Sequence, residues 1–382
     1  MSFVYRNATE EERSAYLDFA NMVFSCAHVP HDFQALIPKV YGPDRRTAFM
    51  QHLALDEKGG IRGLVAAMPG EWSILGKRLR TAYVGTVSVH PYARGEGHMK
   101  KLMHMTLEEA RKNGADLAML GGQRQRYEYF GFTQGGVCKE HVIDAANVRH
   151  ALADTPWEHI DFAEVAQNDA DVIEKAWRLH QSRAAGALRP LEDFWIICQT
   201  WNCRLVQVLK QGAFAGYLVV DGDSNRTGVS DCCLAEASDV SAVVKAWFRR
   251  RSVQGMNFYT GLYETGLNRA LAAIEENARL SHDQMLQIFH FGPVLEAFLQ
   301  LKASYAPLAD GSRCFDIDGE IVTITVKNGV PAVTDQPTGD MERLTAMEAQ
   351  RRFFGLEGFE DGNGLPMGWA PLPLHLEHID AF

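Results

Sequence analysis

Basic and glycine residues near position 95 form a pattern that suits the binding of a phosphate group. Arg94-Gly95-Glu96-Gly97 follows the run Val87-Ser88-Val89 and precedes residues at the 3.6-residue spacing of one helical face. The residues of that face are Met99, Leu102, Met103, Thr106, Leu107 and Ala110. The pattern predicts a strand, a tight turn and a helix that ends at Gly114. Glycines let the backbone approach an anion closely, and the free amides at a helix N-terminus attract it.

Two common phosphate-binding loops do not fit this turn. The Gly-Lys-Ser/Thr ending of a P-loop is missing, and so is the third glycine of a dinucleotide fingerprint. An ordinary glycine-rich connection between a strand and a helix is the alternative interpretation, because short motifs also occur by chance.

A second motif follows the turn and its helix. Residues 116–121 are typical of a short buried strand, and Tyr127 is followed by Gly131 and Phe132. The two motifs together resemble those of the GNAT acetyltransferases, which carry Arg/Gln-x-x-Gly-x-Gly/Ala and then Tyr-x-x-x-Gly-Phe. Arg94 and Gly97 match the first motif, except that Met99 stands where Gly or Ala is usual. The resemblance covers about the first 140 residues.

This resemblance implies acetyl-CoA as cosubstrate, a primary amine as acceptor, and no metal. The implied cofactor-binding residues are Val87, Ser88, Val89, Arg94, Gly95, Glu96, Gly97, His98, Met99 and Lys100. Tyr127 would be the general acid, since a phenol with a pKa near ~10 is protonated at neutral pH and can donate to a leaving thiolate. A packing role for this tyrosine is the alternative.

The general base is less well defined by the sequence. The tail from Leu372 to Phe382 alternates apolar and polar residues and ends on an aromatic residue. In the Eis-like (enhanced intracellular survival) subfamily the terminal carboxylate folds back and acts as the base, so the resemblance implies this role for Phe382. Rival bases are His28, His90, His98, Glu71 and Glu96.

Composition excludes several classes of function. The formal net charge of −10 argues against general nucleic-acid binding, which needs a basic face. The seven cysteines form no paired Cys-x-x-Cys motifs, which favours free thiols in a cytoplasmic protein. No apolar run approaches the ~18 residues of a membrane span, and no secretory signal is recognisable.

A chain of 382 residues is too long for one ordinary core. We expect an α/β protein with mixed α+β sheets in three domains: 1–150 with the loop, 151–285 with helix, hairpin, strand and helix but no phosphate loop, and 286–382 with short strands and helices. The order resembles tandem GNAT folds followed by the sterol-carrier-like domain of the Eis-like subfamily, which implies a trimer or hexamer.

The acceptor is not identified by the sequence. Residues 28–41 shape the acceptor site in GNAT proteins, so Phe24, His28, Phe33 and Tyr41 are candidate substrate walls, with core packing as the alternative. A non-catalytic protein that binds acyl-CoA or a lipid as a sensor is the rival function, and Met99 in the loop is the residue that favours it.

Overall fold

The computed structural model of the protein describes residues 2–27, 29–221, 225–360 and 364–382. The first part of the chain contains strands β1 (Val4–Asn7), β2 (Gln51–Leu55), β3 (Ile61–Ile74), β4 (Lys77–Val89), β5 (Leu117–Leu120) and β6 (Thr133–Gly135). Its helices are α1 (Arg13–Ala27), α2 (Phe33–Leu36), α3 (Pro38–Tyr41), α4 (His98–Lys112) and α5 (Arg124–Tyr127). The predicted strand, turn and helix around the loop are confirmed, and Gly114 has the left-handed φ of +80°.

The middle part of the chain repeats this alternation. Its strands are β7 (Cys138–Asp144), β8 (Ile160–Glu164), β9 (Ala185–Ala187), β10 (Arg204–Lys210), β11 (Ala213–Val220), β12 (Arg226–Leu234), β13 (Gly255–Gly261) and β14 (Asn277–Ser281). Its helices are α6 (Ala145–Ala151), α7 (Ala170–Gln181), α8 (Leu191–Ile197), α9 (Val240–Arg251) and α10 (Thr265–Ala272).

The last part has short strands and two helices. They are β15 (Gln284–Ile288), α11 (Phe291–Ala303), β16 (Gly311–Ile317), β17 (Glu320–Lys327), β18 (Val330–Thr334), β19 (Met341–Leu344) and α12 (Ala346–Phe354). Asp318-Gly319 forms a two-residue turn between β16 and β17, and both residues have the positive φ that such hairpins need. Thr345 and Glu348 form the cap that starts α12, with Thr345 N donating to Glu348 Oε2 at 2.8 Å.

The strands form three sheets, and two of them have the same layout. The first sheet has the order β1-β2-β3-β4-β5-β15-β6, with β9 beside β3, and the second has β14-β7-β13-β12-β11-β10-β8. In each sheet one parallel pair, β4·β5 or β12·β13, lies among antiparallel pairs. The third sheet is β18-β17-β16-β19.

The first two sheets exchange a strand. β7 follows β6 directly in the chain but pairs with β13 and β14 of the second sheet, and β15 returns to pair with β5 and β6 of the first. β7 and β15 therefore each pair with strands on the other side of a predicted domain limit, at 150/151 and 285/286.

Strand β3 is longer than local sequence pattern indicates. Pro69 and Gly70 are residues that usually interrupt a strand, whereas β3 runs without a break through both of them. Proline is tolerated because Pro69 lies where β3 pairs with β4 only; pairing with β2 ends at Ala66 and pairing with β9 begins at Trp72.

The two faces of the first sheet are covered by different helices and segments. Helix α4 covers one face through Leu102, Met103 and Leu107, while α1, α11 and the C-terminal tail pack on the other. Within the described ranges no helix has the length and apolar character to cross a membrane. All seven cysteines are free, and only Cys26 is exposed.

Candidate active site

The loop after β4 has the geometry of an anion-binding turn. Gly95 and Gly97 have φ of +89° and +84°, which side chains disfavour, and α4 begins at His98 directly after Gly97. The first intrahelical bond runs from Lys101 N to Gly97 O at 3.1 Å. The amides of the three preceding residues therefore have no intrahelical acceptor and are available, with the positive end of the helix dipole, to an anion.

The side chains of His98 and Glu96 hold this loop rather than face a ligand. His98 is 1% exposed; its Nδ1 lies 2.9 Å from Tyr5 Oη and its Nε2 lies 3.0 Å from Glu96 Oε2. The ring of Phe3 packs edge-on against the imidazole at 4.5 Å. These partners leave neither ring nitrogen open to a substrate.

A gap opens between β4 and β5 next to the loop. The two strands pair only over Thr81–Tyr83, after which β4 continues to Val89. A cavity of about 790 Å³ lies there, between β4, the loop and the segment after β5. Its lining includes the predicted cofactor residues Val87, Val89, Arg94, Gly95, Gly97, His98, Met99 and Lys100, together with Phe24. The other two predicted cofactor residues, Ser88 and Glu96, are not among its lining residues.

A bulge lies in β4 beside this gap. The register of β4 against β3 shifts between Leu64 and Ala66, which leaves an extra residue in β4, and Thr86 has a positive φ of +45°. Thr86 Oγ1 lies 2.9 Å from the phenol oxygen of Tyr41. Ser88 Oγ donates to Thr86 O at 2.9 Å, so this side chain stabilises the bulge.

The C-terminus reaches this bulge from the other face of the sheet. Phe382 is 8% exposed, and a Cβ built on Gly85 would lie 2.9 Å from the Phe382 carboxyl oxygen and 2.8 Å from its ring. The ring centroids of Phe382 and Tyr41 are 5.9 Å apart, and those of Tyr41 and Phe33 are also 5.9 Å apart. Phe24 contacts Phe33 edge-on at 4.8 Å. Three predicted walls and the terminal residue thus form one aromatic row, while His28 lies outside the described residues.

Tyr127 lies on the face of the first sheet that α4 covers. It is 6% exposed and packs in the same cluster as Val84 and Phe130. Burial raises the pKa of Tyr127 above its ordinary value, and the nearby Arg126 guanidinium partly opposes this. Its neighbours Arg126, Tyr129 and Phe130 line the 790 Å³ cavity, but Tyr127 itself is not among the lining residues. Phe382 and Tyr127 are therefore on opposite faces.

The rival bases have other partners or other places. His90 Nδ1 accepts from Tyr92 N at 3.3 Å, and its ring stacks on Phe19. Glu71 forms an ion pair with Arg78 at 3.1 Å. A larger cavity of about 960 Å³ is lined by neither the loop nor the bulge, so we place the chemistry at the smaller one.

A thiol, a carboxylate and an imidazole come together beside the tail. One ligand atom each of Cys138, Asp283 and His375 lies within 4.8 Å of the others, a grouping able to hold a metal ion. His375 Nδ1 is 3.1 Å from Asp283 Oδ1, and Leu376 N donates to Asp283 Oδ2 at 2.8 Å. These bonds attach the tail to the strand β15 region, and the absence of a metal stays a prediction.

Sequence reasoning did not find several residues of this region. Gly85 and Thr86 belong to an ordinary strand pattern, and only the three-dimensional structure reveals the bulge. Arg183 and Arg189 bind the acidic residues of the tail, and Asp231 binds both arginines, as described below. The one available signal was the presence of Glu377 and Asp380 in an otherwise apolar tail, because buried acids need partners.

The comparisons with known proteins agree with this geometry. The acetyltransferase (GNAT) domain family matches residues 4–135, which supports acyl transfer as the chemistry of this part of the chain. No curated protein matches the sequence.

Solved structures share the fold over nearly the whole chain. A protein of Enterococcus faecalis described as a probable N-acyltransferase has a TM-score of 0.66 at 16% identity, covering 91% of this chain and 88% of its own. A GCN5-related N-acetyltransferase of Anabaena variabilis has a TM-score of 0.66 at 16% identity, with coverages of 92% and 90%. Eis1 of Mycobacterium abscessus has a TM-score of 0.59 at 14% identity, with coverages of 93% and 90%.

Proposed function

We propose that the protein is an N-acetyltransferase that moves the acetyl group of acetyl-CoA to a primary amine. The observation that carries the proposal is the cavity between β4, β5 and the glycine loop, because it combines a strand gap with an anion-binding helix terminus. The match of residues 4–135 to the GNAT domain supports the same chemistry.

The pyrophosphate of the cosubstrate would bind the first-turn amides of α4, with charge added by Arg94 and Lys100. Both residues are exposed and line the cavity, and Lys100 Nζ lies 5.0 Å above the ring of Tyr129, so both cations can reach phosphate oxygens bound there. A backbone amide of β4 near the Thr86 bulge would donate to the thioester oxygen as negative charge develops there.

Transfer would then proceed by direct attack in a ternary complex. The amine nitrogen forms a bond to the acetyl carbon, the bond from that carbon to sulfur breaks, and the thiolate receives a proton from Tyr127. The Phe382 carboxylate would accept the proton that the ammonium must lose before attack, and the proton that the nitrogen loses as the amide forms would pass to solvent, from which Tyr127 is reprotonated. Tyr127 and Phe382 lie on opposite faces of the first sheet. Their positions support one residue as the acid and the other as the base, because the two groups would then act from opposite sides of β4.

The acceptor would enter from the side of the aromatic row. Phe24, Phe33 and Tyr41 are candidate walls for it, and the net charge of −10 is compatible with a cationic small molecule or a lysine side chain.

The finer classification is also a proposal. The equal layout of the first two sheets supports tandem GNAT folds, the second without a phosphate loop, and the third sheet with α11 and α12 supports a sterol-carrier-like end. Fold similarity to Eis1 over 93% of the chain supports an Eis-like protein, for which we propose a cytoplasmic trimer or hexamer.

Release of coenzyme A tests the function. The protein is incubated with acetyl-CoA and a polyamine, an aminoglycoside or a lysine-rich peptide, and free thiol is measured against a blank without amine. We expect Tyr127→Phe to lower kcat by about 10²-fold with acetyl-CoA binding retained. Tyr259→Phe is the matched control, because Tyr259 is 39% exposed on β13 of the second sheet and does not line the cavity. Equal kcat for Tyr127→Phe and the unmodified protein would show that Tyr127 is not the general acid.

The rival function is a non-catalytic acyl-CoA or lipid sensor, and Met99 at the cavity keeps it in consideration. Calorimetry separates the two: acetyl-CoA binding without transfer to any amine of the panel would favour the sensor.

A further inference from the structure

The tail carries two acidic residues into the interior of the protein. Asp380 is 8% exposed and Glu377 is 1% exposed, although the surrounding tail residues Leu374, Leu376 and Ile379 are apolar. Buried carboxylates are costly unless they are paired, so the partners of these two residues determine where the tail can lie.

Both partners are arginines from the segment between α7 and α8. Arg189 Nε and Nη2 donate to the two oxygens of Asp380 at 2.9 and 2.8 Å, which is a bidentate pair, and Arg189 Nη1 donates to Asp231 at 2.7 Å. Arg183 Nη1 lies 2.7 Å from Glu377 Oε1, and the same guanidinium contacts Asp231 and Glu264.

Asp231 fixes the position of both arginines. It lies on β12, accepts from the phenol of Tyr217 at 3.1 Å and is 2% exposed. The Arg183 and Arg189 guanidinium groups hold the pKa of Asp231 well below its ordinary value despite its burial. Asp231 therefore ties both arginines to the second sheet, and the same guanidinium groups bind the tail.

The tail is tied at two further points that precede Asp380 in the chain. Lys39 Nζ donates to Ile379 O at 2.6 Å, and Val137 N donates to Leu374 O at 2.8 Å. Only two peptide units separate Asp380 from Phe382, and each spans about 3.8 Å between Cα atoms. A bidentate bond at Asp380 therefore restricts the terminal carboxylate to a small volume next to Gly85.

We propose that the segment 183–189, whose two arginines are bound by Asp231 of the second sheet, anchors the C-terminus, with Arg189 and Arg183 as positioning residues that hold the Phe382 carboxylate at the β4 bulge. The second half of the chain would then act on the reaction without touching either substrate. The catalytic part of this inference rests on the function proposed above, whereas the anchoring part does not.

Release of the last residue by carboxypeptidase A tests the anchor without any acetyl transfer. This enzyme removes aromatic C-terminal residues, and intact mass spectrometry follows the loss of Phe382. We expect the unmodified protein to be protected and Asp380→Asn to lose the residue at least ~10-fold faster, because a neutral amide replaces the charged half of the bidentate pair.

Two control variants separate anchoring from general instability. Asp239→Asn removes a carboxylate that binds Lys210 at 2.7 Å in the same half of the chain but does not contact the tail. Val244→Ala lowers stability in a core that the tail does not join. Both should keep the protection. Equal protection in Asp380→Asn and the unmodified protein, or equal loss in Val244→Ala and Asp380→Asn, would overturn the anchor.

Kinetics test the positioning role. Asp380→Asn should lower kcat with little change in the KM for acetyl-CoA, and small carboxylates such as formate should restore part of the rate, as they should for the protein lacking Phe382. A purely structural role would show neither the kcat-specific loss nor the rescue. If the unmodified protein acetylates no amine while the carboxypeptidase results hold, the proposed function fails and the anchor stands.

Discussion

The contact between Gly85 and Phe382 permits a sharp test of the terminal carboxylate. A methyl group added at position 85 would lie 2.8 Å from the Phe382 ring carbons and 2.9 Å from its carboxyl oxygen. Carbon atoms pack best at about 3.5–4.0 Å, so the end of the tail must move by about 1 Å. Gly85 does not have a positive φ, and alanine therefore introduces no backbone strain there.

We expect Gly85→Ala to lower kcat by about 10²-fold, because a displacement of about 1 Å at a reacting group has that effect. Overpacking should lower the free energy of unfolding by about 1–3 kcal/mol, which leaves the protein folded at the assay temperature. Initial rates of coenzyme A release at saturating substrates measure kcat, and thermal unfolding followed by circular dichroism measures stability.

Gly70→Ala is the matched control for this experiment. It lies on β3 of the same sheet, and its added methyl group would meet only Thr81 Oγ1, at 3.0 Å. We expect it to retain kcat within about twofold, since the tail is not involved. An unchanged kcat in Gly85→Ala, with the methyl group accommodated and the fold intact, would refute the assignment of the Phe382 carboxylate as base.

Two further substitutions test the loop and the buried tail. Gly97→Ala should raise the KM for acetyl-CoA several-fold and lower stability by about 1–2 kcal/mol, because a side chain is strained at φ of +84°; steady-state kinetics and urea unfolding measure both. Burial raises the pKa of Glu377 to about 7 from an ordinary 4.5. Between these pH values the unfolded chain releases its proton first, so Glu377 lowers the free energy of unfolding as the pH rises. Urea unfolding from pH 4.5 to pH 8 should show that Glu377→Gln loses this decrease; parallel curves for both proteins would contradict it.

Local patterns predicted most of the elements near the loop. Residues Gln51–Leu55 form strand β2, and Thr9 caps the turn at residues 10–12, with its backbone amide bonded to Glu12 at 2.9 Å. These features depend on neighbouring residues only, namely on side-chain alternation, glycine conformation and capping. The continuous strand β3 was missed because Pro69 is acceptable only at an unpaired edge, and the sequence does not state which edges are paired.

Contacts between distant segments could not be predicted in the same way. The exchange of β7 and β15 between sheets joins residues more than a hundred positions apart, and no local pattern distinguishes a strand that stays in its sheet from one that leaves it. The same holds for Arg189, which is an arginine in a loop by sequence and the partner of Asp380 in the structure.

The sequence by itself determined the loop, because glycines at positions 95 and 97 and a helix that begins at His98 make an anion-binding turn in any context that lets the strand and helix form. It also suggested Tyr127 and Phe382 as reacting groups through their resemblance to a family. Only the tertiary structure brought Phe382 to Gly85, because that contact needs a buried tail whose charges are paired by residues from a distant part of the chain. Burial and charge pairing are properties of the whole fold, whereas turn geometry is a property of a few consecutive residues.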